Sequence, residues 1–119
     1  MKKIYIIQPD GTHTVEEREF NPELKELQTW VKGYIEHVIV RFNDKKCVAY
    51  VNEEGKLRRM PVNWKATSIF HNEMKKHMGN PLYNDLNREA EIVGGMDYIC
   101  GPMVIVENPG RAKIPSNKG

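Results

Sequence analysis

The residues of this chain best suited to nucleophilic, acid–base or metal chemistry are four histidines, His13, His37, His71 and His77, and two cysteines, Cys47 and Cys100. His71 and His77 stand six positions apart, which sets them about 240° apart around a helix rather than on one face. Two imidazoles share a metal on a helix at the i, i+4 spacing of a His-Glu-x-x-His run, and the chain has no such run. Glu73 and His77 do have that spacing, which suits a surface pair on a solvated face. No carboxylate cluster accompanies any histidine, so neither a metal nor another cofactor is expected. Cys47 and Cys100 lie in the apolar runs 47–51 and 97–100, where small buried hydrophobes belong; a disulfide or redox pair is the alternative. Cys100 precedes Gly101 and could offer a thiol on a tight turn, but no sequence neighbour would lower its pKa. There is no Gly-x-Ser-x-Gly elbow, and no Gly-Lys-Ser/Thr follows Gly94-Gly95 or Gly101 to make a phosphate loop. An enzyme built on this chain would be of an unfamiliar type, with Cys100 or His71 in a role.

Binding has more candidates. Lys56, Arg58 and Arg59 fall in one short stretch, Lys65, Lys75 and Lys76 on the segment after it, and Arg111, Lys113 and Lys118 near the C-terminus. A stripe through Lys56, Arg58, Arg59, Lys75 and Lys76 would suit nucleic-acid phosphates. Glu53, Glu54 and Glu73 interrupt it, as on an ordinary mixed-charge surface. For a small anionic ligand the residues to watch are Gln28, Glu36, Arg58, Asn63 and Lys65. Asn63 has a complete structural role as a helix cap, and Gln28 and Glu36 could equally bond backbone groups near Gly33.

The elements that must position these residues follow from period and punctuation. Residues 3–8 are β-branched and aromatic, Pro9-Asp10-Gly11-Thr12 is a turn, and residues 14–20 form the exposed second arm of a hairpin. Asn21-Pro22-Glu23 opens a helix with Asn21 as cap; Leu24, Leu27 and Val31 share one face, and Gly33 ends it. Residues 34–42 read as a strand that is apolar on both faces, hence an interior strand or an interface. Residues 47–51 and 56–60 complete a three-stranded meander. A second helix follows Asn63 with Ala66, Ile69, Phe70, Met74, His77 and Met78 on one side, and Gly79 stops it. A short third helix over 80–90, a Gly94-Gly95 loop and a buried strand at 103–106 follow, and 107–119 reads as a flexible tail.

Length and charge narrow the classes. With 119 residues, 39% hydrophobic, 29% charged and a net charge of +2, the chain suits one soluble domain over 1–106 with no strong polyanion preference. Its apolar runs are too short to span a membrane, and residues 1–7 meet Gln8-Pro9 too early for a signal peptide, so a cytoplasmic setting is expected. The fold expected is α+β: an antiparallel sheet of about five to six strands with two main helices on one face, in the order ββαβββαβ. Trp30, Val31, Val38, Val40, Ile69, Phe70, Val104 and Val106 are the expected core.

Three segments carry a family resemblance. Leu27-Gln28-Thr29-Trp30-Val31-Lys32-Gly33-Tyr34-Ile35-Glu36 is one signature. The second joins the acidic-glycine turn Asn52-Glu53-Glu54-Gly55 to Pro61-Val62-Asn63-Trp64-Lys65-Ala66-Thr67, and the third is Ile99-Cys100-Gly101 with its apolar strand. Together, over about residues 20–106, they resemble domain of unknown function 3846. Lys32 departs from the pattern, which has glycine there. The resemblance implies no catalytic residues. It implies a phage or mobile-element setting, and there a non-enzymatic protein that acts by binding: one that inhibits or sequesters a host defence protein or a nucleotide signal. A second copy of the chain is a further expected partner, with 34–42 as the surface; nucleic acid is the alternative, and no membrane is expected.

Overall fold

The computed structural model describes residues 2–78, 98–107, 114, 115 and 117. Strands β1 (Lys2–Ile7) and β2 (His13–Arg18) form the N-terminal hairpin. Its turn is held by Asp10, whose Oδ1 accepts the Thr12 amide (2.9 Å) and hydroxyl (2.6 Å), while Gly11 takes φ +92°. Helix α1 (Leu24–Val31), β3 (Ile35–Phe42), β4 (Lys45–Asn52), α2 (Trp64–Met78) and β5 (Met103–Val106) complete the order ββαββαβ. The five strands form one antiparallel sheet in the order β2-β1-β5-β4-β3. The last strand in sequence is therefore the central one, and all four of its residues are buried. A two-residue turn joins β3 to β4, with Asn43 at φ 52° and Asp44 at φ 60°, left-handed values that Asn and Asp tolerate best after glycine.

The helices cover opposite faces of the sheet, not the single face expected. Ile7, Val40, Cys47, Ala49, Val51, Met103 and Ile105 pack with Ala66 and Ile69 of α2. Ile4, Ile6, Val48, Tyr50, Val104 and Val106 point the other way and pack with Leu27 and Val31 of α1. The strand period of two sends alternate residues of β4 and β5 into different cores, so residues 47–51 of β4 and all of β5 are apolar. Val31, Val40, Ile69, Val104 and Val106 are buried as expected; Trp30, Val38 and Phe70 are partly buried against the two cores. β3 lies at the sheet edge rather than in its interior.

Two local expectations are also corrected. The cap of α1 is Glu23, not Asn21, because the Glu26 carboxylate reaches back to the Glu23 amide (3.4 Å). Glu26 in turn takes an ion pair from Arg18, whose guanidinium lies 5.2 Å from the Trp30 ring centre and ties α1 to β2. The third meander strand is absent. Residues 53–59 instead wind into a helical turn, with Arg58 N donating to Glu54 O (2.8 Å) and Met60 N to Gly55 O (2.9 Å). Arg59 closes it at φ 55° in the pattern that usually ends helices. The expected third helix over 80–90 and the Gly94-Gly95 loop lie outside the described residues.

The backbone at Lys32 gives a physical reason for the glycine that the resemblance leads one to expect there. Lys32 ends α1 in the left-handed region, φ 66° and ψ 38°, where a side chain is strained and glycine is not. Lys32→Gly is expected to raise stability by about 0.5–1 kcal/mol in urea unfolding; a decrease would show that the lysine stem contributes packing worth more than the strain.

Candidate binding surface at one end of the sheet

The three signature segments meet where β1 and β4 end and β3 and β5 begin. The C-terminus of α1 leaves carbonyls without helical partners. Buried Asn52 donates its Nδ2 to Val31 O (2.9 Å) and accepts the Glu54 amide at Oδ1 (2.8 Å), and Arg58 Nη1 donates to Lys32 O (2.5 Å). The 52–58 turn is therefore the C-terminal cap of α1. Gly33 and Gly55 allow the close fit. A Cβ on Gly33 would stand 2.8 Å from Arg58 Nη1, and one on Gly55 would stand 2.4 Å from the Cys100 carbonyl oxygen.

Asn63 joins the rest. Its Oδ1 accepts the Ala66 amide (3.0 Å), capping α2, while Nδ2 donates to both Ile7 O and Gly101 O (3.0 Å each). Its own amide donates to Ile99 O (2.8 Å), and its carbonyl accepts the Thr67 hydroxyl (2.8 Å). That hydroxyl oxygen accepts the Ile99 amide (2.9 Å). Asn63 and Thr67 are fully buried.

Beside this joint lies a cleft of about 320 Å³ whose polar rim is Glu36, Glu53, Glu54 and Lys56, above Val51 and Ile99. Lys56 Nζ sits 4.4 Å from the centre of the Tyr98 ring. A second cleft of about 300 Å³ shares Glu36 and Glu53 and is closed by Ile114, Pro115 and Asn117 of the C-terminal segment. Carboxylates dominate both rims, so the local field favours cationic groups over phosphates. Among the described residues no group of three or more His, Cys, Asp or Glu side chains is placed to hold a metal.

The five residues singled out for a small anionic ligand do not share one cavity. Glu36 lines the clefts, and Gln28 Nε2 points at Asn117 Oδ1 (3.4 Å) on the α1 side of the edge. Arg58 is turned to the Lys32 carbonyl, Asn63 is enclosed in its joint, and Lys65 Nζ faces His13 Nδ1 (3.3 Å). Of the basic stripe, Lys56, Arg58 and Arg59 lie in a turn rather than along a strand, so strand alternation does not align them. The side chains of Lys75 and Lys76 lie outside the described residues. Both cysteines are buried thiols, and burial pushes the Cys47 thiol up. This end of the sheet also uses Asn52, Thr67 and Asn117, which are not among those five; Asn52, which opens the acidic-glycine turn, carries the clearest local signal.

At the opposite end of the sheet, buried Glu107 accepts from Lys45 Nζ (2.8 Å) and Tyr5 Oη (3.2 Å). The Lys45 hydrogen bond holds the Glu107 carboxyl below its usual range. A carboxyl depressed in the folded state contributes stability above its unfolded pKa of about 4.3, and the contribution is lost as pH falls through the folded value. Glu107→Gln is expected to flatten the acid limb: the wild-type melting temperature falls more steeply between pH 5 and 3 than the variant's. Parallel curves would remove Glu107 from the acid response.

A family model described as a domain of unknown function (DUF3846) matches residues 1–116, taking in the β1–β2 hairpin and residues 114–116 as well as the three signatures. No curated protein and no solved structure matches the chain. No helix among the described residues is long and apolar enough to cross a membrane.

Proposed function

This chain belongs to the DUF3846 family, and we propose that it acts by binding rather than by chemistry. The observation that carries the reading is the use made of the signature side chains. Asn52, Asn63 and Thr67 spend their polar atoms on backbone groups at the chain bends, which makes them parts of a scaffold. The surface beside them is a carboxylate-rimmed cleft next to an edge strand that exposes Ile39 and is preceded by exposed Tyr34. Such a surface suits a protein partner better than a nucleotide signal, whose phosphates the carboxylates repel. It also disfavours nucleic acid: Lys56 is stacked on Tyr98, Arg58 is tied to a carbonyl, and Glu53 and Glu54 line the same cleft as Lys56. In the phage or mobile-element setting that the family resemblance implies, the role is to inhibit or sequester a host protein, such as one of a defence system.

Affinity capture on the purified chain from host lysate tests this. One host protein retained in stoichiometric amount is the expected result. A co-purifying ultraviolet-absorbing nucleotide, or a gel shift with DNA or RNA that collapses as salt rises, would contradict it.

A further inference from the structure

The outer edge of β3 shows what it is built to hold. Tyr34 O accepts the Glu53 amide (2.9 Å), which makes Tyr34 and Glu53 a hydrogen-bonded pair. The antiparallel alternation then turns the backbone groups of Ile35, His37 and Ile39 away from β4. At Ile35 one side chain takes both outward groups: Asn117 Oδ1 accepts the amide (2.7 Å), and Nδ2 donates to the carbonyl (2.9 Å). One acceptor and one donor held in this way reproduce the peptide groups of a paired strand. The next outward positions, His37 and Ile39, are exposed.

We propose that this edge is a strand-addition site, that its occupant is an extended segment of a partner protein carrying a basic side chain, and that Asn117 is the intramolecular stand-in it displaces. The inference rests on the binding reading above and names the surface that does the binding. Charge complementarity selects the basic segment. Asn117 Nδ2 already lies 3.2 Å from Glu53 Oε2, and Glu36 lines the same cleft. A lysine or arginine on the added strand meets both carboxylates there, and Ile39 supplies an apolar neighbour. Because the peptide must displace Asn117, its apparent affinity is reduced to the fraction of molecules in which that contact is open. Asn117 lies one residue beyond the span matched by the family model.

The test uses the full chain and a synthetic octapeptide of alternating valine and lysine, with a valine–glutamate octapeptide as control. Anisotropy gives affinity, and backbone NMR gives the site. The basic peptide is expected to bind with shifts centred on Ile35–Ile39, and Asn117→Ala is expected to bind it about tenfold more tightly. His37→Pro deletes an outward donor while leaving the β3–β4 ladder intact, and is expected to abolish binding at unchanged melting temperature. Should proline lower stability, Glu36→Lys puts a like charge where the basic side chain is to be met and is expected to weaken binding at least tenfold. Equal affinity for wild type and Asn117→Ala, equal binding of the acidic peptide, or shifts away from β3 would overturn the proposal. So would self-association that His37→Pro abolishes, which would assign the edge to a second copy. A host protein captured undiminished by the His37→Pro chain overturns the edge assignment and leaves the binding reading standing; catalytic turnover overturns that reading itself.

Discussion

The carboxamide of Asn63 is the contact on which the end of the sheet depends. Its oxygen starts α2, and its nitrogen clamps the last carbonyl of β1 to the Gly101 bend that leads into β5. A buried amide with both hydrogens and its oxygen in use has no water to fall back on. Removing it takes a donor from each of two carbonyls in the interior and leaves one helix amide without its cap. The neighbours are as tightly specified: Gly101 takes φ +90°, and a Cβ there would stand 2.9 Å from Met60 Cε. The central strand β5 therefore enters the sheet through a bend that tolerates little substitution.

From that joint the rest follows in order. Docking of the 99–101 segment against Asn63 and Thr67 fixes where β5 starts, and β5 closes the gap between β1 and β4. Closing that gap creates two faces, each of which needs a helix. α2 supplies one directly from the Asn63 cap. α1 supplies the other, and its frayed C-terminus is finished by Asn52 and Arg58 from the turn that also carries Gly55 against Cys100. The signatures are thus three parts of one structural joint, and their polar side chains describe a scaffold. The surface that flanks it is what remains for binding: the β3 edge and the carboxylate rim.

Much of this is written in local pattern. The β1–β2 hairpin, β3, β4, β5 and the start of α2 are legible from period, turn residues and caps, because each signal lies within a few residues of its effect. The placement of the helices on two faces is not legible in β3. Its apolar residues on both sides suit an interior strand, whereas the unbroken apolar runs are residues 47–51 of β4 and 103–106 of β5, and those are the ones covered on both faces. Residues 56–60 failed as a strand because Gly55 must approach Cys100 and Arg59 must turn left-handed, and neither demand is visible locally. Asn117 is the extreme case. It acts on Ile35 across 82 positions, and no local pattern marks an asparagine that substitutes for a neighbouring strand.

Urea unfolding of Asn63→Asp measures the central contact directly. Aspartate is as good a helix cap as asparagine, so it keeps the bond to the Ala66 amide. It cannot donate to Ile7 O and Gly101 O, and it places a charge against both carbonyls in a site without solvent. If the clamp holds the fold as described, stability at neutral pH falls by at least about 3 kcal/mol. If Asn63 merely caps a helix, the variant unfolds within about 0.5 kcal/mol of wild type, and the account of the joint is wrong.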